Sequence, residues 1–277
     1  MKVIILGTGS PEGHPILLHP DEFVEKNESR LRPGLLIQDK DNILFDASPD
    51  VRQQLIHLKI KSLTAVFITH QHFDHLWGIG DLAQLTWLGK VPFKIYVNKD
   101  TLQYIKRYMS WINLPLNLFS YNKEYYFKNF SVVPRKVIHS KKFETAAFEI
   151  RCKYNSKKIL YAPDFKGFVD KIIDNRYEFC IIEGTYFFGK YIDDEYHLEG
   201  KELINILKKI RSKKYYLLGI SPWWYKTFSS ILSKKLPANF YLPKDFMVIK
   251  FSKKSSNHVY HVYNCLCLKL NKIILGK

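Results

Sequence analysis

Along the chain, short apolar runs alternate with turns and with stretches of helical spacing, the signature of an α/β domain. Val3–Leu6 predicts a first strand that stops at Gly7-Thr8-Gly9-Ser10-Pro11, a tight turn with exposed backbone N–H groups. Residues 31–37 lead into a strand, Asp39–Asn42 supplies a turn, and Ile43–Phe45 returns as in a hairpin. Val51–Leu58 reads as a helix with Asp50 as N-cap. The run Leu63–Ile68 predicts a buried strand, and Leu76–Leu88 carries helical spacing. Strand Phe93–Val97 and helix Lys99–Met109 follow, then the aromatic, irregular stretch 111–126, suited to core packing or to walling a site. Strands are predicted over Phe130–Ile138, over Ala146–Tyr154 and Lys158–Tyr161 (a hairpin turning at Asn155-Ser156), and over Phe179–Ile182. Helical spacing over Leu198–Ile210 precedes the last core strand, Tyr215–Leu218, and the closing strand Met247–Phe251. No internal linker interrupts residues 1–251, read here as one domain, and 252–277 is a basic extension. Its apolar stripe (Val259, Val262, Leu266, Leu268, Leu270) suits added edge strands or a partner contact.

Chemistry concentrates where the strand Leu63–Ile68 spills into its loop. His70, His72, Asp74 and His75 form an H-x-H-x-D-H cluster. Alternate residues leaving a strand project the same way, so His70 and His72 face one point, and the next turn brings Asp74 and His75 to a second. Imidazole nitrogens and carboxylate oxygens suit zinc, manganese or iron at roughly 2.0–2.2 Å. Two adjacent points within six residues form a two-metal pattern, whereas surface histidines in a polar loop would be scattered.

Composition narrows the class. The 277 residues are 46% hydrophobic and 15% aromatic, enough for a large core. No apolar run reaches membrane-spanning length, and the opening run is too short for a signal peptide. The four cysteines show no C-x-x-C and no disulfide-like spacing, so a reducing cytoplasm is the default compartment. The net charge of +17 fits an anionic substrate. Lysine far outnumbers arginine, however, in a chain rich in Ile, Asn, Tyr and Phe, as an AT-rich genome would produce.

The H-x-H-x-D-H segment resembles the metal motif of the metallo-β-lactamase superfamily. The phrase D-A-S-P-D-V-R-Q-Q-L at residues 46–55 resembles that of its phosphoribosyl cyclic phosphate phosphodiesterase branch. The resemblance spans residues 1–251 and implies a four-layer αβ/βα sandwich with metals at one edge between two mixed sheets. It makes His139, at a strand end, the third imidazole beside His70 and His72, and Asp164 a bridging carboxylate shared with Asp74 and His75. Asp46 would support the histidine loop without being a ligand. His197, before a helix, would protonate the leaving oxygen, and Asp74 is placed among the catalytic groups as well as the ligands. Zinc is the implied cofactor, as one or two ions, with manganese or iron as alternatives. The reaction implied is hydrolysis of a small cyclic or nucleotide-like phosphodiester by a metal-activated water, with no membrane partner and with room for a homodimer. A cysteine-rich structural zinc knuckle seen in related phosphodiesterases has no counterpart over residues 13–32, where His14 and His19 read as loop residues.

One departure stands out. Relatives end the Tyr215–Leu218 strand with a T-H-x-S-H-like phrase whose first histidine completes the second metal site. Here Gly219 occupies that position and Pro222 replaces the second histidine. His258 and His261 have no sequence-determined place near the site, and Trp223-Trp224-Tyr225-Lys226 suits core capping or stacking on a base. Two alternatives therefore stay open: an RNA-processing nuclease resembling tRNase Z, and a non-catalytic binding protein with a degraded second metal site.

Overall fold

The computed structural model describes residues 1–18, 29–89, 93–169, 176–189, 196–220 and 236–251, with the backbone of 259–261. In the first half run β1 (Lys2–Gly7), β2 (Gly34–Gln38), β3 (Asn42–Phe45), α1 (Val51–His57), β4 (Ala65–Phe67), α2 (Phe73–Leu76), α3 (Ile79–Trp87), β5 (Lys94–Val97), α4 (Lys99–Tyr108) and β6 (Leu116–Leu118). The second half contains β7 (Tyr125–Tyr126), β8 (Phe130–Ile138), β9 (Thr145–Cys152), β10 (Lys158–Ala162), β11 (Gly167–Phe168), β12 (Arg176–Tyr177) and β13 (Phe179–Glu183). It continues through α5 (Gly200–Leu207), β14 (Arg211–Ser212), β15 (Tyr215–Leu218), β16 (Phe240–Tyr241), β17 (Met247–Lys250) and β18 (Val259–His261).

Two mixed sheets result. One has the order β18-β17-β1-β2-β3-β4-β5-β6, the other β11-β8-β9-β10-β13-β15-β16 with β7 on β8, and β12-β14 is a separate pair. The period-2 alternation of the strands builds the layers. In β1, Val3 and Ile5 point into the core shared with Phe130, Phe148, Ile159 and Tyr216 of the other sheet. Ile4 and Leu6 face the opposite way, onto Val51, Leu76, Ile79 and Ile105 of the four helices that follow the first strands. The outer face of the second sheet packs on Leu203 and Leu207 of α5. Helices, sheet, sheet, helix is the four-layer order expected.

Details differ from the sequence expectations. The helix over Leu76–Leu88 is split in two, with α2 starting at Phe73, so Asp74 and His75 lie on a helical turn. The break is at Gly78, whose amide donates to the Ala47 carbonyl at 2.8 Å. A Cβ there would lie 2.0 Å from the Ser48 carbonyl oxygen, so only glycine permits this approach. Asp50 holds the N-cap position of α1 without capping it. Its carboxylate instead accepts from the Arg32 amide at 2.7 Å and pairs with that guanidinium at 3.3 Å.

The stretch 111–126 contains two short strands, and its rings Phe119, Tyr121 and Tyr125 join the core between the sheets. Among the described residues, the aromatics against the histidines are Phe143 and Tyr196 instead. In the extension, β18 pairs antiparallel with β17, and the rest of 252–277, His258 included, lies outside the described residues. His19, Pro222 and Trp223-Trp224-Tyr225-Lys226 do so too.

Candidate metal centre

The loops at the strand ends are fixed before any ion is considered. Asp46, just past β3 with φ at +61°, is fully enclosed. Its Oδ1 accepts the Thr69 amide and hydroxyl at 2.8 and 2.9 Å, and its Oδ2 accepts the Tyr161 hydroxyl at 3.0 Å. His75 Nδ1 lies 2.8 Å from the same Oδ2, so it carries the proton and donates. The Thr69 hydroxyl, already donating to Asp46, accepts from His70 Nδ1 at 3.0 Å. These bonds assign the Nε2 lone pair of both His70 and His75 to the centre.

Those lone pairs converge with the other groups. His70 Nε2 and His75 Nε2 lie 3.3 and 3.0 Å from Asp164 Oδ2, and His75 Nε2 lies 3.1 Å from Asp74 Oδ2. His139 Nε2 is 3.4 Å from His72 Nδ1 and 3.9 Å from Asp164 Oδ2. One donor atom from each of His70, His72, His139 and Asp164 lies within 4.8 Å of the others, and Asp74, His75 and Asp164 form a second such group. The structure thus brings together all six residues named as ligands from the sequence.

The electrostatics suit a cation. Burial, reinforced by the neighbouring imidazoles, holds His70 well below the ordinary histidine range, and burial lowers His72 as well. Burial brings His139 to about 4 despite the attraction of Asp164. All three are therefore neutral at pH 7, the state in which imidazole binds metal. His75 is the opposite case: burial lowers its pKa, but Asp74, Asp164 and Asp46 together hold it well above the usual value. Burial raises Asp164, yet His75, His139 and His70 overcome it and hold its carboxyl well below the ordinary range. The second group of residues therefore calls for positive charge, as a proton or as an ion. His70 Nε2 and His75 Nε2 are buried and make no hydrogen bond of acceptable angle, despite the nearby Asp164. Buried acceptors facing carboxylate oxygens are costly unless a cation lies between them. The donor set fits a divalent metal.

His197 stands beside this cluster, its ring centroid 5.4 Å from that of His139. It lies three residues before α5, whose start is closed by a capping box of Glu199 and Glu202. Its Nδ1 is 2.7 Å from Glu183 Oε1, and Glu183 Oε2 accepts the Phe165 amide at 2.9 Å. Burial raises the Glu183 carboxyl against the pull of His197. Asp164, Glu183 and His197 make a third group of close donor atoms. Glu183, which ends the apolar run of β13, was overlooked in the sequence, because a lone acid at a strand end has no local signature. Phe143 (5.0 Å from the His72 ring) and Tyr196 (5.7 Å from the His139 ring) frame the opening, and neither carries a distinguishing local pattern.

Gly219 follows β15 with φ at +67°, and its amide donates to the Thr8 carbonyl at 3.1 Å. Among the described residues, an added Cβ would meet only the Thr185 hydroxyl, at 3.4 Å. The turn after β1 is thereby tied to the end of β15. Thr8 also donates to Asp245 at 2.7 Å. His14 pairs with Arg30 through a β-bridge, and burial lowers it to about 4.

Residues 41–220, well over half of the chain, match the family model described as the beta-lactamase superfamily domain, and the chain belongs to that superfamily. The chain is 33% identical over 117 residues to an octanoyltransferase of Porphyromonas gingivalis, covering 40% of this chain and 23% of that protein. It is 26% identical over 159 residues to a ribonuclease Z of Methanococcus maripaludis, covering 54% of this chain and 44% of the relative. The match thus spans less than half the length of each relative. Among solved structures, a diphosphatase from the PhnP family superposes with a TM-score of 0.75 at 20% identity, over 91% of this chain and 98% of that one. The short form of human tRNase Z gives 0.65 at 20% identity, over 91% and 100%. Those two likenesses establish the fold. No helix among the described residues is long and apolar enough to cross a membrane.

Proposed function

We propose that the chain is a metal-dependent phosphodiesterase acting on a small, anionic cyclic or nucleotide-like phosphodiester. The observation that carries this reading is the convergence of three neutral imidazoles, His70, His72 and His139, on Asp164, with Asp74 and His75 on its other side. These residues would hold zinc, or manganese or iron, as one ion among the imidazoles and a second beside Asp74. When bound, a divalent ion supplies Lewis-acid chemistry: it acidifies a water and offsets charge on the phosphoryl oxygens. Asp46 fixes the His75 tautomer and, through Thr69, that of His70. Glu183 holds His197 by Nδ1, so its Nε2 is the position that exchanges a proton with the leaving oxygen. Phe143 and Tyr196 pack against the imidazole rings.

The test is hydrolysis of a panel of cyclic and linear phosphodiesters by chelated and zinc- or manganese-reconstituted protein. Metal-stimulated turnover is expected. His197→Gln should lower it by roughly 10²–10⁴-fold for alkoxide leaving groups and far less for p-nitrophenolate, which leaves without a proton. No metal-stimulated turnover on any diester would sink the reading in favour of a binding protein. The relatives named ribonuclease Z and the charge of +17 favour a second reading, cleavage of RNA. Cleavage of precursor tRNA without activity on small diesters would select it.

A further inference from the structure

A second feature lies at the other end of the second sheet. Glu183 and Leu218 close β13 and β15 beside the histidines, whereas Phe179 and Tyr215 open those strands about 10–13 Å away, at about 3.3 Å per residue. There the C-terminal end of α5, the β12-β14 pair and the 237–240 segment enclose a cavity of about 550 Å³. Leu207, Ile210, Tyr215 and Phe240 line it. The Tyr215 hydroxyl donates to the Ile210 carbonyl at 2.6 Å, and its ring stacks on Phe240 at 4.7 Å. The tyrosine's polar tip is thus satisfied, and the lining it presents is apolar.

The charges on the same cavity are of one sign. Arg176, Lys208, Arg211 and Lys213 all line it, and among the described residues no acid does. Moreover, β12 and β14 pair in parallel with Arg176 directly opposite Arg211. Like charges set opposite one another destabilise a strand pair. Neither arginine has an acid partner among the described residues; Glu178, next along the chain, is paired with Lys157 and Lys213. Two exposed arginines at directly paired positions, with no acid partner among the described residues, suit a phosphate, which can accept from both forks at once.

We propose that this cavity binds a small organic phosphate, its phosphoryl group between Arg176 and Arg211 and its apolar body on Tyr215 and Phe240. The volume is that of a small-molecule site. Binding does not require the metal centre, so the proposal stands apart from the phosphodiesterase reading.

The experiment is calorimetric titration of the full, metal-free chain with adenosine 5′-monophosphate, octyl phosphate and inorganic phosphate. At least one organic phosphate should bind about tenfold or more tightly than inorganic phosphate, and Arg176→Gln or Arg211→Gln should weaken it about tenfold or more. Preference for the nucleotide would identify a planar body, and preference for octyl phosphate an aliphatic one. Neither substitution should lower the Tm, because each removes an opposed like charge. Three results would overturn the proposal: no organic phosphate binding tighter than inorganic phosphate, binding unchanged by both arginine substitutions, or binding lost in His70→Ala but kept in Arg176→Gln.

Discussion

Two groups of donors share Asp164. One holds three imidazoles, contributed by the loop after β4 and by the end of β8; the other holds Asp74 and His75 from a single helical turn. After β15 the chain has Gly219, which offers no side chain. The two groups also differ in charge. His70, His72 and His139 are held neutral, so an ion there is bound by lone pairs already facing it. Around His75 the carboxylates Asp74, Asp164 and Asp46 draw positive charge, so a cation there competes with a proton on the same imidazole. If both groups hold ions as proposed, the absence of a side chain at Gly219 weakens the second without dismantling the first. An ion on the first side should be tight, and one on the second weaker and more easily displaced by acid.

The strongest way to break that contrast is to remove one residue from each side. His139→Ala should abolish tight metal binding and bring turnover to background. Asp74→Ala should keep one tightly held ion and lose roughly 10²–10³-fold in kcat/KM, the usual cost of deleting a preorganised electrostatic stabiliser. Metal analysis after gel filtration, with rates on the best diester, reads both. Equal losses of metal in the two variants would mean the sides are not independent.

Asp46→Asn sharpens the comparison with a smaller effect. Asparagine keeps one acceptor for Thr69 but turns an amide donor toward His75 Nδ1, which is itself a donor. His75 must then change tautomer or orientation. Affinity on its side should fall about 10–100-fold, as for other groups that orient a metal ligand. Chelator competition should show two phases in which only the weaker one moves. A shift of both phases by the same factor would mean that Asp46 supports the whole loop through Thr69, and not His75 in particular.

How much of this was legible beforehand depended on how local each signal is. The strands were readable because buried β-strands are apolar runs bounded by turn residues, and β4, β10 and β13 obey that rule, whereas β8 mixes Ser131, Pro134, Arg135 and Lys136 with its apolar positions. The H-x-H-x-D-H cluster was readable because four donors crowd six positions. His139 and Asp164 were singled out only through the resemblance, since a lone histidine or aspartate at a strand end has no local signature. The break at Gly78 was invisible: it depends on the Ser48 carbonyl, thirty residues earlier in the chain. Glu183 was passed over for a similar reason, because its partner His197 is fourteen residues on, beyond an intervening loop. The Arg176–Arg211 pairing is equally non-local and follows only from the register of β12 on β14.

The smallest effect concerns Gly219 itself. If the weaker side lacked nothing but an imidazole, Gly219→His would restore a second tight ion, and the 3.4 Å clearance to Thr185 leaves room for a Cβ. The backbone argues against such a simple repair. With φ at +67°, any L side chain is strained by about 1–3 kcal/mol. The amide cannot rotate freely out of that conformation, because it donates to the Thr8 carbonyl, and Thr8 is in turn held by Asp245. Burial raises the Asp245 carboxyl to about 6 against its hydrogen bonds to Leu31 and Thr8, and those two bonds tie the anchor to two separate segments of the chain. Gly219→Ala and Gly219→His should therefore lower the Tm by similar, modest amounts, and neither should change the number of tightly bound ions. Thermal unfolding with metal analysis on both variants decides it. A histidine variant that retains two ions through gel filtration, where the alanine variant retains one, would show that the loop still follows the path of its relatives and that the contrast between the two sides of Asp164 rests on one missing side chain.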